Sequence, residues 1–289
     1  MHVSAIAIVL LIALALRYGY NSPILADNRS SKTYPQRYLR ALVAFLLPPL
    51  LLFMTALSIV WMGPVGQMVW GQAGWVSYIL AWGFLVFAGI HLISLGWQTW
   101  NLQRKVKTYP QQVYDGISFR VLDTPIAYSA VVGCWQRSLV VSRGMLALLD
   151  RDRLHAVLAH ERGHEYYQDP FWFFWLGWIR RCCWWLPRTE ILWQELLLLR
   201  EIRADAWASQ QVDPLTLAES LLQVVQYSLP HTENTENLGT AFSCANRNRL
   251  EERIDALLDP TESPPEVPCQ CWLWVAVSLL PLAIAPFHY

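Results

Sequence analysis

Charged side chains are scarce in this sequence. Only 15% of the 289 residues are charged, whereas about 25% is usual in a soluble domain. Between Arg40 and Arg104 there is no Asp, Glu, Lys or Arg. The 22 basic and 22 acidic side chains balance, which excludes a nucleic-acid-binding protein that depends on a basic surface. The long uncharged runs predict a membrane protein instead.

Four apolar runs are candidate transmembrane spans, each of which needs about 20 residues. Two lie on either side of Gly63-Pro64 and are placed at Ala41–Met62 and Trp75–Leu95. Val3–Leu16 is predicted to be an uncleaved first span rather than a signal peptide, because Arg17 follows the apolar run instead of preceding it. Cys271–Phe287 is the predicted fourth span.

The distribution of basic residues predicts how these spans are oriented. Arg and Lys collect between the first and second spans and directly after the third, and such loops face the cytoplasm. The predicted fold is therefore a polytopic α-helical membrane protein with four spans. Residues 1–103 hold three transmembrane helices, residues 104–268 form a cytosolic domain and residues 269–289 form the fourth helix. Both termini are expected outside the cytoplasm.

The cytosolic segment is expected to be mixed α/β and mainly helical. Three β-prone runs predict a small sheet: Ser118–Leu122, Ile126–Val132 and Ser138–Val141. Helices are predicted at residues 151–168, 171–185, 189–210, 213–229 and 248–258, with an irregular polar loop over residues 230–247. The segment at about 171–186 is apolar on nearly every side and predicts a helix that lies on the membrane, a buried core helix being the alternative.

The motif that carries chemistry is His160-Glu161-Arg162-Gly163-His164, within a predicted helix. Histidines four residues apart project from the same helix face, so both imidazoles can bind one metal ion. Glu161 can then reach a water molecule at the metal. The alternative is a pair of solvated histidines on a helix surface.

A hydrolytic zinc site uses three protein ligands and leaves a fourth position open. Glu201 on a downstream helix is predicted as the third ligand, and Asp205 lies one turn further along the same face. Asp205 is predicted to accept a hydrogen bond from the second nitrogen of a ligating histidine, which fixes the orientation of the ring. Glu190 and Glu195 are rivals for the ligand position, but neither has an acidic residue four positions later.

These parts predict a zinc endopeptidase. Glu161 is expected to accept a proton as water attacks a peptide carbonyl and to return it to the leaving amine. A further donor should stabilise the oxyanion or support the site. The candidates for that role are Arg203, Arg253, His231, Tyr166 and Tyr167.

The segment Val157–His164, together with Asp169-Pro170-Phe171-Trp172 and Glu201–Ala208, resembles the BlaR/MecR-type antirepressor metallopeptidases. The resemblance implies a gluzincin domain between a third and a fourth span in the bacterial inner (plasma) membrane, with its active site facing the cytoplasm. It also implies that the enzyme cleaves a winged-helix transcriptional repressor in response to a signal, without binding nucleic acid itself; a homo-oligomer is compatible with it. The β-lactam sensors among these proteins carry a penicillin-binding domain after the fourth span, and no sensing by such a domain is expected here.

The HtpX and CAAX prenyl protease families share parts of this pattern. Ser129-Ala130-Val131-Val132 resembles their substrate-binding edge strand, and the segment around Arg253 resembles their late helix with its arginine. An HtpX-like quality-control protease is therefore the alternative function, and a non-catalytic receptor with a structural zinc site is a further one. Cys269 with Cys271, and Cys182 with Cys183, are weak candidates for metal binding or redox sensing.

Overall fold

The computed structural model describes residues 2–19, 34–64, 71–228, 239–258 and 279. These residues form two compact units. The first contains the described parts of Met1–Leu95 and of Trp175–Leu196, and the second contains those of Gly96–Phe174 and Leu197–Pro264. The first unit therefore includes Trp175–Leu196, a segment that the sequence analysis placed in the domain of residues 104–268.

The first unit is built from apolar helices. They are α1 (His2–Gly19), α2 (Tyr34–Met62) and the greater part of α3 (Gly71–Lys107). Tyr34–Met62 and Gly74–Lys107 are long and apolar enough to cross a membrane, and they contain the two predicted central spans. The apolar part of α1, Ile6–Tyr18, is shorter. The predicted fourth span at residues 269–289 lies outside the described residues except for Leu279, as do Cys269 and Cys271.

Residues of the segment Trp175–Leu196 pack against α2 and α3 within the first unit. The ring of Phe53 lies 5.1 Å from that of Trp178, whose Nε1 donates to the Ala88 carbonyl oxygen at 2.8 Å. Cys182 and Cys183 are fully buried in the same apolar cluster. Buried thiols in apolar surroundings are inert packing groups, which leaves no support for a metal or redox role of this pair.

The second unit contains a four-stranded sheet. Its strands are β1 (Gln111–Tyr114), β2 (Ile117–Leu122), β3 (Ser129–Val132) and β4 (Ser138–Ser142), in the order β1-β2-β4-β3. The pair β2 and β4 is parallel, and the two outer pairs are antiparallel. Strand β1 was not predicted from the sequence. The Asp115-Gly116 turn joins it to β2, and both turn residues have positive φ, as in a tight hairpin turn.

Six helices complete the described fold. They are α4 (Arg143–Leu148), α5 (Arg151–Tyr166), α6 (Asp169–Cys182), α7 (Thr189–Ala208), α8 (Pro214–Ser228) and α9 (Gly239–Leu258). Asp150 and Asp213 cap α5 and α8 by accepting backbone N–H groups. Helix α9 begins well before the predicted residue 248, so the expectation of an irregular loop over residues 230–247 is wrong for residues 239–247. Apolar side chains of β2, β4 and α5, including Val121, Val141 and Leu158, form the core that holds α5 against the sheet.

Candidate metal centre

Helices α5 and α7 bring three ligand side chains together. His160 and His164 lie one turn apart on α5, and their Nε2 atoms are 3.1 Å from each other. Glu201 of α7 approaches both rings, with one carboxylate oxygen 3.4 Å from Nε2 of His160 and the other 3.6 Å from Nε2 of His164. Both histidines are more than nine-tenths buried. This group can hold a metal ion.

The three ligand side chains are close enough together to hold one zinc ion. Ligand atoms about 2.0–2.1 Å from a tetrahedral zinc ion lie about 3.4 Å from one another. Here the two Nε2 atoms are 3.1 Å apart, and each lies 3.4 or 3.6 Å from a different oxygen of the Glu201 carboxylate. Among the residues that the structure describes, no fourth His, Cys, Asp or Glu joins the group. The donor set therefore fits a zinc ion with one coordination position left for water or substrate.

A buried carboxylate, that of Asp205, lies next to the Nδ1 atom of His160, on the side of the ring away from the other ligands. Nδ1 of His160 lies 2.7 Å from Oδ1 of Asp205, which is one turn beyond Glu201 on α7 and only 1% exposed. Arg253 of α9 donates to both oxygens of Asp205, at 2.7 and 2.9 Å. This bidentate pair fixes the carboxylate at ion-pair distance from the ring of His160.

A second carboxylate, which the sequence analysis did not single out, holds the other histidine. Nδ1 of His164 lies 2.7 Å from Oδ2 of Asp169, the first residue of α6, which is 1% exposed. Arg203 of α7 donates to the other oxygen of Asp169, and its guanidinium lies 4.2 Å from the centre of the Tyr167 ring. The sequence analysis named Asp169 only within the segment Asp169-Pro170-Phe171-Trp172 and predicted no role for it beside His164.

The carboxylates around the two imidazoles favour a positive charge on these rings or a cation between them. Burial opposes protonation of His160, but the Asp205 and Glu201 carboxylates outweigh it and raise the pKa of His160 to about 10. The pKa of His164 is also raised, because Asp169 and Glu201 outweigh burial. Burial would raise the pKa of Glu201, but hydrogen bonds from both histidines hold it well below its usual range. A divalent cation can replace the two imidazole protons here.

Glu161 lies beside this group and faces the edge of the sheet. It follows His160 on α5 and is only 6% exposed. The Ser129 hydroxyl donates to Oε1 of Glu161 at 2.7 Å. Ser129 is the first residue of β3, which has β4 as its neighbour and lies at one end of the sheet. The structure thus brings the predicted edge strand to the predicted general base.

Residues 105–186 match the model of peptidase family M48. The matched segment contains the four strands, His160, Glu161 and His164. The match indicates a metallopeptidase. It does not support the antirepressor subtype. Comparison of the chain with curated proteins found no match, and comparison with solved structures found none either.

The matched segment ends before α7, so the position of Glu201 rests on the structure alone. Gly163 allows α7 to come this close to the peptidase motif. A Cβ atom at Gly163 would lie 3.1 Å from the carbonyl oxygen and 3.2 Å from the Cα atom of Ala204, between Glu201 and Asp205 in the chain. The absence of a side chain at this position therefore permits the contact between the helices.

The remaining candidates lie elsewhere or have other partners. The two rivals of Glu201 form ion pairs in the first unit, Glu190 with Arg180 and Glu195 with Arg37. Tyr166 is largely exposed, and its ring lies 5.9 Å from that of Trp207. His231 lies outside the described residues. The structure also adds Arg200, not predicted, which donates to Oε1 of Glu201 through two nitrogens, at 2.6 and 3.0 Å.

Proposed function

We propose that this membrane-associated metallopeptidase is a zinc endopeptidase that cleaves extended protein segments bound along β3. The observation that carries the proposal is the juxtaposition of three elements in the second unit. His160, His164 and Glu201 are close enough to hold one metal ion, with a Glu201 oxygen within 3.6 Å of each Nε2 atom, and Glu161 follows His160 in the chain. Glu161 in turn accepts a hydrogen bond from the first residue of an edge strand.

The residues around the ligands have distinct roles in this proposal. When bound, zinc supplies Lewis-acid chemistry and makes water a sufficient nucleophile near neutral pH. Glu161 accepts the proton of the attacking water and returns it to the amine that leaves. Asp205 and Asp169 hold the two imidazoles in the orientation and tautomer that ligation requires. Arg253 and Arg203 hold those carboxylates, so we assign both arginines a supporting role rather than oxyanion binding.

The edge strand is the proposed binding site for the substrate backbone. Because β3 is at the end of the sheet, a peptide can add to it as a further strand through main-chain hydrogen bonds. Ser129, Ala130, Val131 and Val132 would provide the pairing groups. The contact between Ser129 and Glu161 supports a binding mode in which the scissile bond lies near the beginning of β3.

Two classes of substrate are compatible with this proposal. The resemblance to antirepressor peptidases favours a cytosolic winged-helix repressor, cleaved after a signal at an inner membrane. The HtpX-like alternative favours many damaged membrane proteins. The match to family M48 does not distinguish between these two classes.

The test of the enzyme is Glu161→Gln in the purified full-length protein. Zinc content should remain at one ion per chain, because all three ligands remain, while cleavage of an unfolded protein should fall by at least about 100-fold with loss of the base. Glu165→Gln is the matched control, since Glu165 is an exposed residue one turn along the same helix. Normal cleavage by Glu161→Gln would overturn the assignment.

The test of the substrate compares new protein N-termini in cells that express the wild-type protein or Glu161→Gln. Loss of one site in a small DNA-binding protein supports the antirepressor function. Loss of many sites across membrane proteins supports quality control. Identical sets of N-termini under several stresses would contradict both.

A further inference from the structure

The hairpin that joins β3 to β4 exposes a large aromatic side chain. It comprises residues 133–137, and Trp135 at its tip is 73% exposed. The Trp135 ring lies 5.2 Å from Phe171, which in turn lies 5.3 Å from Trp172, itself 57% exposed. Contiguous exposed aromatic surface of this kind marks an interaction site.

The hairpin is fastened to the last turns of α3. The Gln103 side chain donates to the backbone carbonyl oxygen of Gln136 at 2.7 Å, and the Lys107 ammonium group donates to the side-chain oxygen of Gln136. Gly133 has a φ of +104°, and a Cβ atom there would meet the Gln103 side chain at 3.2 Å. The position of the hairpin is therefore set by the same turns of α3 that follow its apolar run.

These turns of α3 have the composition of a membrane interface. Trp97 and Trp100 follow the apolar run and are 60% and 45% exposed. The Arg104 guanidinium lies 3.8 Å from the centre of the Trp100 ring, and Lys105 and Lys107 follow. Tryptophan collects at the level of lipid headgroups, and basic residues beside it are attracted to anionic lipids. Trp100 lies one turn before Gln103, so the hairpin is anchored beside this aromatic and basic segment.

We propose that the β3–β4 hairpin is a membrane anchor, in which Trp135, with Trp172, inserts into the headgroup region of an anionic bilayer beside the end of α3. The occupant is lipid rather than protein because the hairpin is fastened to the point where a candidate span changes from apolar to aromatic and basic. The inference rests on the membrane association in the proposed function, with α3 as a span.

The anchor has a consequence for the substrate. Val132, the last residue of β3, directly precedes the hairpin, while Ser129 at the other end of the strand contacts Glu161. The proposed substrate strand therefore runs from the catalytic residues to the membrane surface. Segments that lie next to a membrane can reach β3 along this surface, whereas a cytosolic repressor must be brought to it.

The test is site-specific photocrosslinking of the full-length protein in vesicles of phosphatidylethanolamine and phosphatidylglycerol. A benzophenone amino acid replaces Trp135, or Val113 on β1 as an exposed control, or Ile93 in α3 as the reporter of the span. We expect lipid labelling at position 135 to approach that at position 93 and to exceed that at position 113 by about 10-fold.

Three results would overturn the proposal, and they are distinguishable. Labelling of lipid at position 93 but not at position 135 would refute the anchor and leave α3 as a span. Lack of lipid labelling at both positions would refute the span as well. Crosslinking of position 135 to a second copy of the chain, in place of lipid, would make the hairpin a protein interface.

Discussion

Gly163→Ala tests whether close contact between α5 and α7 builds the metal centre. The new Cβ atom would lie 3.2 Å from Cα of Ala204, about 0.3–0.8 Å less than an ordinary carbon contact. Relief of this clash must move α7 outward by a similar amount, and Glu201 and Asp205 lie on either side of Ala204. Functional sites tolerate displacements of about 0.5 Å. We therefore expect zinc affinity to fall about 10-fold, which corresponds to about 1.4 kcal/mol.

The assay is competition for zinc between the purified protein and a chelator of known affinity, together with cleavage of an unfolded protein. Gly177→Ala in α6 is the matched control, because its Cβ atom would meet only Trp193, at an ordinary 3.9 Å. Both substitutions gain about 0.5–1 kcal/mol of helix stability from the loss of glycine. Zinc affinity of Gly163→Ala within two-fold of the wild-type value would refute the argument that helix spacing sets the ligand geometry.

Three further predictions concern the ligands and the carboxylates behind them. Glu201→Ala should lose zinc on dialysis because only two ligands remain, whereas Glu195→Ala should retain zinc. Metal analysis of both dialysed variants measures this difference. Equal zinc contents would exclude Glu201 as the ligand. Asp169→Asn and Asp205→Asn should each weaken zinc binding by about 10- to 100-fold, because each carboxylate orients one ligating imidazole. Titration calorimetry would detect this loss. Unchanged zinc binding by Asp169→Asn would contradict the role of Asp169. Zinc affinity should fall by at least about 10-fold for each unit of decreasing pH between 8 and 6, because zinc displaces the proton of His160, whose pKa is raised to about 10, and the pKa of His164 is raised as well. An affinity independent of pH would contradict that protonation.

The sequence could predict those features that depend on near neighbours in the chain. The strands β2 and β4 and the helix that carries His160 and His164 follow from alternation and from helical periodicity. Strand β1 was missed because Gln111 and Gln112 are polar and exposed, and the Asp115-Gly116 turn was not used as a hairpin signal. The early start of α9 at Gly239 was missed because its first half is polar.

The sequence by itself determined that this chain carries long membrane-compatible helices, since a run without charge needs no tertiary contact to be recognised. It also determined that His160 and His164 share a face, because the helical repeat places residues four apart together. Only the tertiary structure decided which acids join them. Glu201 and Asp205 reach the site because Gly163 has no side chain and α7 can pack close to it. Asp169 reaches the site because it is the first residue of α6 and contacts His164. Spacing alone made Glu201 and Asp205 candidates, but it is the packing of α5, α6 and α7 that brings them and Asp169 to the histidines.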